Sequence, residues 1–159
     1  MLRILKDKWA KNEALLREKL SKIDFDDYNC DYRDYKGLVE LTFETIYNDN
    51  DNGDLMSSYH DLKCHCITQV DDGDYQGTLL FLIPFDTYQP NEYEYLMTHI
   101  GYGSCTVCDT LQSILCDEGD ERISGLMHLC RDFVVNAIKP YNDGWRYCNA
   151  FEQVKFEEK

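Results

Sequence analysis

Residues 77–84 read GTLLFLIP and contain the longest uninterrupted apolar run of the chain. A continuous apolar stretch of this length, bounded by glycine and proline, is typical of a central β-strand whose two faces are both covered. A surface strand would alternate apolar and polar residues instead. The run therefore predicts a central strand, and the segments around it must supply the rest of the sheet.

The segments on either side of this run predict its two partner strands. Residues 63–70 alternate, which places Cys64 and Cys66 on the same face of a first strand. The sequence DDGD at 71–74 is a strong turn signal, so this strand and the central one form a hairpin. A third strand, EYEYLMTHI, follows at 92–100 after a turn.

Helical periodicity predicts four helices, two before the strands and two after them. They span about residues 2–22, 35–47, 105–115 and 121–138. Because short turns join consecutive strands, the sheet is an antiparallel meander, and helices from both ends of the chain pack on it. We predict an α+β fold: a three-stranded antiparallel meander packed with N-terminal and C-terminal helices, in one domain over residues 1–159.

Length and composition limit the class of protein. A chain of 159 residues with 43% hydrophobic content can bury a core of its own. The N-terminal residues lack the apolar segment of a secretory signal, and no stretch reaches the roughly 18–20 apolar residues of a membrane span. We therefore expect a cytoplasmic protein without membrane contact, whose eight cysteines are reduced. Cys116 and Cys130 are expected to pack as small apolar side chains.

The charge distribution indicates the kind of partner. The net charge is −14, and residues 1–22 hold seven basic and three acidic residues, which leaves −18 on the remainder. Such a body repels nucleic acid, because nucleic-acid binding depends on neutralising phosphates. It attracts a basic protein and steers its approach. We therefore expect a basic protein partner and no direct binding of nucleic acid.

The motif GYGSCTVCDTLQ at 101–112 allows three interpretations of Cys105 and Cys108. The C-x-x-C spacing is half of a zinc site, but the meander places Cys64 and Cys66 at the opposite end of the first strand, roughly 17 Å away, which is too far to complete it. The same spacing after a strand and before a helix is found in thiol-redox proteins, although no βαβ unit surrounds it here. The interpretation we favour is packing, with both thiols under a helix start that Ser104 caps.

No other pattern indicates catalysis. The four histidines fall in no metal or triad spacing, and no phosphate loop or nucleophile elbow is present. NDNDNGD at 48–54 resembles a calcium loop, but the twelfth position counted from Asp49, which needs a carboxylate, is His60. We therefore expect no catalytic residues, no metal and no cofactor, and we do not expect an enzyme.

Three blocks resemble a known family. DDGDYQGT (71–78), PFDTYQP (84–90) and YGSCTVCDTLQ (102–112) occur in this order, and together they resemble a family of small proteins from phages and prophages of Gram-positive bacteria. The resemblance covers about residues 70–115. Members commonly have Ser-Gly between the two cysteines, where this chain has Thr106-Val107.

A small acidic phage protein without enzymatic motifs also looks like an anti-CRISPR inhibitor. That likeness implies stoichiometric binding to a type II (Cas9) nuclease with its guide RNA, inside the bacterial host cell, and a block of DNA binding or cleavage. The alternative is a thiol-redox or zinc-binding protein that uses Cys105 and Cys108. The residues expected to bind the partner are exposed acids and one tyrosine in loops: Asp26, Asp27, Asp31, Asp49, Asp51, Asp54, Asp71, Asp72, Asp74 and Tyr75.

Overall fold

The computed structural model describes residues 2–48, 61–141 and 150–153. Four α-helices and five β-strands lie in these ranges. The helices are α1 (Leu2–Ser21), α2 (Tyr35–Ile46), α3 (Thr110–Leu115) and α4 (Gly119–Val135). The strands are β1 (Thr68–Asp71), β2 (Gly77–Pro84), β3 (Tyr95–Tyr102), β4 (Ile138–Tyr141) and β5 (Ala150–Gln153). Short 3-10 turns span Asp31–Arg33 and Cys64–Cys66.

The five strands form one antiparallel sheet in the order β1-β2-β3-β4-β5. Strand β2 pairs along its length with β3, from Gly77↔Tyr102 to Pro84↔Tyr95. Strand β1 pairs with the middle of β2, from Thr68↔Leu82 to Asp71↔Leu79. Strand β4 joins β3 at Met97↔Ile138 and pairs with β5. The predicted α+β meander is therefore confirmed, and two C-terminal strands extend the sheet beyond the predicted three.

One face of the sheet carries the core. The inner residues of β2 (Leu79, Phe81 and Ile83) are buried, and so are Leu96 and Thr98 of β3. The buried side chains of α1, α2 and α4 belong to the same hydrophobic cluster, within the ranges that the structure describes. The Thr98 hydroxyl donates to the backbone oxygen of Phe133 at 2.6 Å, which fixes α4 against β3.

The other face of the sheet is only half covered. Leu80 and Leu82 of β2 are half-buried, and Val70 of β1 is exposed. The helix-packed face of the central strand is therefore covered as predicted, whereas its opposite face is covered only in part. A long apolar run reveals that a strand is central in its sheet, but it does not show how completely each face is shielded.

The first predicted strand begins later than the alternation indicated. Residues Cys64–Cys66 form a 3-10 turn, closed by the Cys66 N–H donating to the Lys63 oxygen at 2.9 Å. Cys64 is therefore buried and Cys66 exposed, instead of both lying on one face. Alternation over a few residues cannot distinguish a strand from a tight turn that buries every third side chain.

The two C-terminal helices also have different bounds from those predicted. Helix α3 begins at Thr110 because Asp109, and not Ser104, is its N-cap. Val107, which falls within the predicted helix, is 95% exposed in the loop before α3. Helix α4 ends at Val135, earlier than the predicted bound of about 138, and residues 138–141 form β4 instead.

We expect the Phe81→Ala variant to lose about 3–5 kcal/mol in the free energy of unfolding, because it opens a cavity at the centre of the core. Urea denaturation followed by circular dichroism measures the loss. The matched control is Tyr88→Ala, since Tyr88 is 97% exposed and truncating it should change stability by less than about 0.5 kcal/mol. Equal losses in the two variants would contradict the placement of the core on this face of β2.

Candidate functional site

A cleft of about 380 Å³ opens between the loop that precedes α2, the β1–β2 turn and the loop that follows β3. Its floor is Tyr35, Leu79 and Leu111, and its rim is polar. The remaining lining residues are Arg33, Asp34, Gln69, Asp71, Tyr102, Gly103, Asp109 and Gln112. Three segments far apart in the sequence therefore meet at one concave surface.

A buried carboxylate holds one wall of the cleft in place. Asp109 is 3% exposed, and its Oδ2 accepts hydrogen bonds from the Tyr35 hydroxyl at 3.2 Å and from the Gly103 N–H at 3.1 Å. Its Oδ1 accepts from the Gln112 N–H at 2.8 Å and so caps α3. The Tyr35 hydroxyl in turn accepts from the Leu111 N–H at 3.2 Å. This network joins α2, the loop after β3 and α3, and burial raises the pKa of Tyr35 to about 12.

A second tyrosine fastens the opposite wall. The Tyr102 hydroxyl lies 2.8 Å from Oδ1 of Asp71 and 3.0 Å from the Gly73 backbone oxygen, so it ties the end of β3 to the β1–β2 turn. The hydrogen bond with Asp71, with smaller effects of desolvation and of nearby Asp72 and Asp74, raises the pKa of Tyr102 to about 12. Tyr102 is therefore a neutral hydrogen-bond donor over the whole physiological pH range.

Cys105 and Cys108 lie beside this cleft and are both exposed. Their sulfur atoms are 2.7 Å apart, and the Cys105 N–H donates to the Cys108 sulfur at 3.1 Å. The hydrogen bond from the Cys105 thiol, helped by Ser104, lowers the pKa of Cys108. The predicted packing of both thiols under a helix start is therefore wrong, because α3 begins five residues after the predicted start and does not cover them.

Gly103 allows the loop to fold back on itself. A β-carbon at this position would lie 2.2 Å from the Cys108 backbone oxygen, far inside van der Waals contact. Any side chain here would push Cys108 and Asp109 away from the end of β3. The glycine-rich sequence before the cysteines is therefore required for the close approach that seats the Asp109 carboxylate.

One predicted partner-binding residue, Asp71, lines the cleft, and four others lie within a few residues of lining positions in the sequence. Asp31 is exposed in the 3-10 turn before α2, next to the lining residues Arg33 and Asp34. On the other side, Asp71 lines the cleft, and Asp72, Asp74 and Tyr75 continue the β1–β2 turn. Tyr75 is 83% exposed, and neither it nor Asp74 forms a hydrogen bond or ion pair with another residue of the described ranges.

Other predicted binding residues have structural partners or lie outside the described ranges. Asp26 forms an ion pair with Arg122 of α4 at 3.1 Å, and Asp27 accepts hydrogen bonds from the Asn29 backbone and side chain. Oδ1 of Asp72 accepts from the Thr78 N–H at 2.5 Å, which closes the hairpin. Three predicted residues are outside the residues that the structure describes: Asp49, Asp51 and Asp54.

Sequence reasoning missed Tyr35, Tyr102 and Arg33. The Arg33 guanidinium lies 4.9 Å from the centre of the Tyr28 ring and donates to the Phe25 backbone oxygen. Tyr35 and Asp109 are 74 positions apart, so no local pattern could pair them. The available signal was weaker: an aspartate directly before a helix, with a glutamine three residues later, is a common capping arrangement.

Among the other cysteines of the described ranges, Cys30 is half-buried, two are buried and two are exposed. Cys130 is fully buried, as predicted, and burial raises the pKa of its thiol to about 12. Burial likewise raises the pKa of Cys64 to about 12. Cys116, predicted to pack inward, is exposed at the end of α3. Within residues 2–48, 61–141 and 150–153, no three His, Cys, Asp or Glu side chains converge in an arrangement that could hold a metal ion.

Fold and site together describe an α+β protein with an acidic cleft beside an exposed pair of thiols. No protein-family model matches the chain, and no curated protein or solved structure is significantly similar to it. Among the described helices, none has the length and apolar character needed to cross a membrane. The functional proposals below therefore depend on the geometry, charge and chemistry of the cleft and its surroundings.

We expect Asp109→Ala to lower the free energy of unfolding by about 2–4 kcal/mol, because it removes a helix cap and leaves buried donors unpaired. Tyr35→Phe should cost about 1 kcal/mol, and the double variant should show a coupling of at least about 0.5 kcal/mol. Urea denaturation of the four proteins gives this cycle. Asp117→Ala, at an exposed aspartate near the end of α3, is the control. Additive losses would contradict a shared network.

The raised pKa of Tyr35 predicts a loss of stability at high pH. Its pKa is about 10 in the unfolded chain, so its contribution is fully present below pH 10 and is lost as the pH rises through about 12. Tyr35→Phe should therefore show a smaller decline in unfolding free energy between pH 9 and 11 than the unmodified protein. Tyr28→Phe, at an 88% exposed ring, should leave the decline unchanged. Equal slopes in all three proteins would contradict the burial of this hydroxyl.

Proposed function

We propose that this chain is a binding protein that docks a basic macromolecule against its acidic cleft, and that it acts as an anti-CRISPR-type inhibitor of a Cas9 nuclease. The observation that supports the proposal is the position of two acidic, tyrosine-bearing loops. The last residues before α2 (Arg33 and Asp34) and the last residue of β1 (Asp71), where the β1–β2 turn begins, are some forty residues apart in the sequence but line the same cleft.

Charge around the cleft favours a cationic partner. The rim carries Asp31 and Asp34 on one side and Asp71, Asp72 and Asp74 on the other. Arg33 is the cation among them, and its guanidinium is engaged by the Tyr28 ring and a backbone oxygen. A concave surface lined by one sign of charge concentrates the electric field, which raises the association rate of an oppositely charged partner.

Exposed tyrosines supply contact area that charge alone does not. Tyr28 and Tyr75 are 88% and 83% exposed, and they lie in the two loops that lead to the lining residues Arg33 and Asp71. Aromatic side chains with few rotatable bonds are the commonest anchors of protein interfaces, because they bury a large area at a small entropic cost. Tyr28 already contacts Arg33, so binding requires little further ordering of its ring.

A Cas9-type nuclease fits the required partner. Such enzymes hold their guide and target strands in a positively charged channel. An acidic, rigid surface can occupy part of that channel without performing any reaction, so inhibition is stoichiometric and blocks DNA binding or cleavage. The resemblance of three sequence blocks to phage proteins agrees with action in the cytoplasm of a bacterial host. The acidic body makes no direct contact with nucleic acid in this proposal.

A triple variant of the rim tests this proposal. Asp31→Asn, Asp74→Asn and Tyr75→Ala together remove two charges and one exposed ring from the cleft, and none of these side chains stabilises the described fold through a hydrogen bond or ion pair. Its matched control is Asp61→Asn, Glu92→Gln and Tyr88→Ala, which makes the same changes at the opposite end of β2.

We expect the unmodified protein and the control to bind a guide-loaded Cas9 nuclease and inhibit its cleavage of DNA. The rim variant should associate at least about tenfold more slowly at low salt, with a flatter dependence of the rate on ionic strength. Surface plasmon resonance at several salt concentrations measures both effects. Binding without inhibition would contradict the inhibitor role, and equal kinetics for the rim and control variants would contradict the binding surface. Capture of no Cas9 nuclease from several type II systems would contradict the partner.

A further inference from the structure

We propose that Cys105 and Cys108 are a redox couple, which a low-molecular-weight disulfide oxidises to an intramolecular disulfide. This assigns a second site to the chain, next to the acidic cleft. It does not depend on the proposed inhibitor function, because it concerns a reaction of the loop itself. Three features of the loop support it: the geometry of the two thiols, the ordered backbone that presents them, and their difference from the other exposed cysteines.

The two sulfur atoms are in close contact. They lie 2.7 Å apart, and a disulfide requires about 2.05 Å, so bond formation needs only a small adjustment of the two side chains. Both thiols are exposed, which gives a reagent from solution access to either sulfur. Zinc is a poorer fit, because two thiols supply half of a tetrahedral site and no third ligand approaches them among the described residues.

The backbone holds the pair in this arrangement. The Cys105 oxygen accepts from the Cys108 N–H at 3.0 Å and from the Asp109 N–H at 2.8 Å, which closes a tight turn. The Asp109 carboxylate then fastens the end of that turn to Tyr35 and to Gly103. Because the loop is ordered before oxidation, forming the disulfide loses little further chain entropy.

The two cysteines have different chemical roles. Cys108 is the nucleophile, because its sulfur lies 2.7 Å from the Cys105 sulfur and accepts from the Cys105 N–H at 3.1 Å, and hydrogen bonds with Cys105 and Ser104 lower the pKa of its thiol. A larger thiolate fraction at neutral pH speeds attack on a disulfide. Cys105 then acts as the resolving thiol.

The reaction balances in two steps. The Cys108 thiolate attacks one sulfur of the small disulfide, which forms a mixed disulfide and releases one small thiolate. That thiolate, or the solvent, takes the proton of Cys105, and the Cys105 thiolate attacks the Cys108 sulfur. The second small thiolate leaves as the bond between Cys105 and Cys108 forms. The protein loses two electrons, and the small disulfide gains them to become two thiols.

Two other exposed cysteines provide a matched control. Cys66 and Cys116 are as accessible as the pair but have no second sulfur in contact among the described residues. They should form mixed disulfides and stop there. Cys64 and Cys130 are buried with raised pKa values, so they should react slowly in the folded protein.

The test uses the reduced full-length chain with oxidised glutathione as the probe. Samples are quenched with an alkylating agent at successive times and mapped by mass spectrometry. We expect a Cys105–Cys108 disulfide, roughly threefold to tenfold faster than glutathione attaches to Cys66 or Cys116. It should be reversed by reduced glutathione and form equally fast in the Cys66→Ser/Cys116→Ser control. Cys105→Ser should retain glutathione on Cys108, since serine can donate a hydrogen bond to that sulfur but cannot resolve the adduct.

Three results would overturn the proposal. The first is separate glutathione adducts on Cys105 and Cys108 of the unmodified protein, with no bond between them. The second is a stoichiometric zinc ion that stays on the pair through purification and protects both thiols from oxidised glutathione. The third is a rate equal to that of Cys66 and Cys116. The mapping of the unmodified protein needs no variant, so it decides the question even if a substituted chain fails to fold.

Discussion

The buried carboxylate of Asp109 is the interaction on which the rest of the site depends. One oxygen caps α3, and the other receives the Tyr35 hydroxyl of α2 and the Gly103 N–H at the end of β3. Asp109 is only 3% exposed. Burying a carboxylate costs a large free energy unless its oxygens accept hydrogen bonds, as both oxygens of Asp109 do. This single group therefore positions three elements relative to one another, and it shapes both the cleft wall and the turn that presents the thiols.

The acidic surface is less uniform than its net charge indicates. Asp26 is paired with Arg122, and Asp27, Asp71 and Asp72 each accept a hydrogen bond that stabilises a turn. A carboxylate that stabilises a turn still contributes its charge to the field, but its substitution changes structure and charge together. Asp31, Asp74 and Tyr75 differ in this respect, since they are exposed and have no hydrogen-bond or ion-pair partner among the described residues. Binding and folding can therefore be separated experimentally at these three positions.

The class of fold followed from the sequence because its signals are local. The apolar run of β2, the DDGD turn and the periodicity of α1 and α2 each depend on neighbours within a few residues. The start of α3 was placed wrongly because two capping residues compete, and the long-range bond of Asp109 to Tyr35 favours the second. The sequence did not predict the C-terminal strands because proline is disfavoured inside a strand, and Pro140 lies within β4. Strand β4 tolerates this proline because its pairing with β3 is short. The cleft was not predictable from local sequence patterns, because residues 35, 71 and 109, which line it together, are far apart in the chain.

The exposure of Cys105 and Cys108 also follows from the burial of Asp109. If α3 began at Cys105, the thiols would lie in its first turn, as the sequence was interpreted. Because Asp109 is buried and caps α3, the four residues before it form a turn outside the helix, and the side chain of Val107 in that turn is exposed to solvent. The reactivity proposed for the pair and the shape of the cleft are thus two consequences of one buried hydrogen-bond network.

Amide hydrogen exchange of the native protein, resolved by residue with NMR, tests that network most directly. The account predicts that the Gly103 and Gln112 amides, which donate to the Asp109 carboxylate, exchange much more slowly than the Ser104 and Thr106 amides of the same loop. The Asp109→Asn variant should lose most of that difference. Rapid exchange of Gly103 and Gln112 in the unmodified protein, at the rate of their exposed neighbours, would contradict the central role given to Asp109.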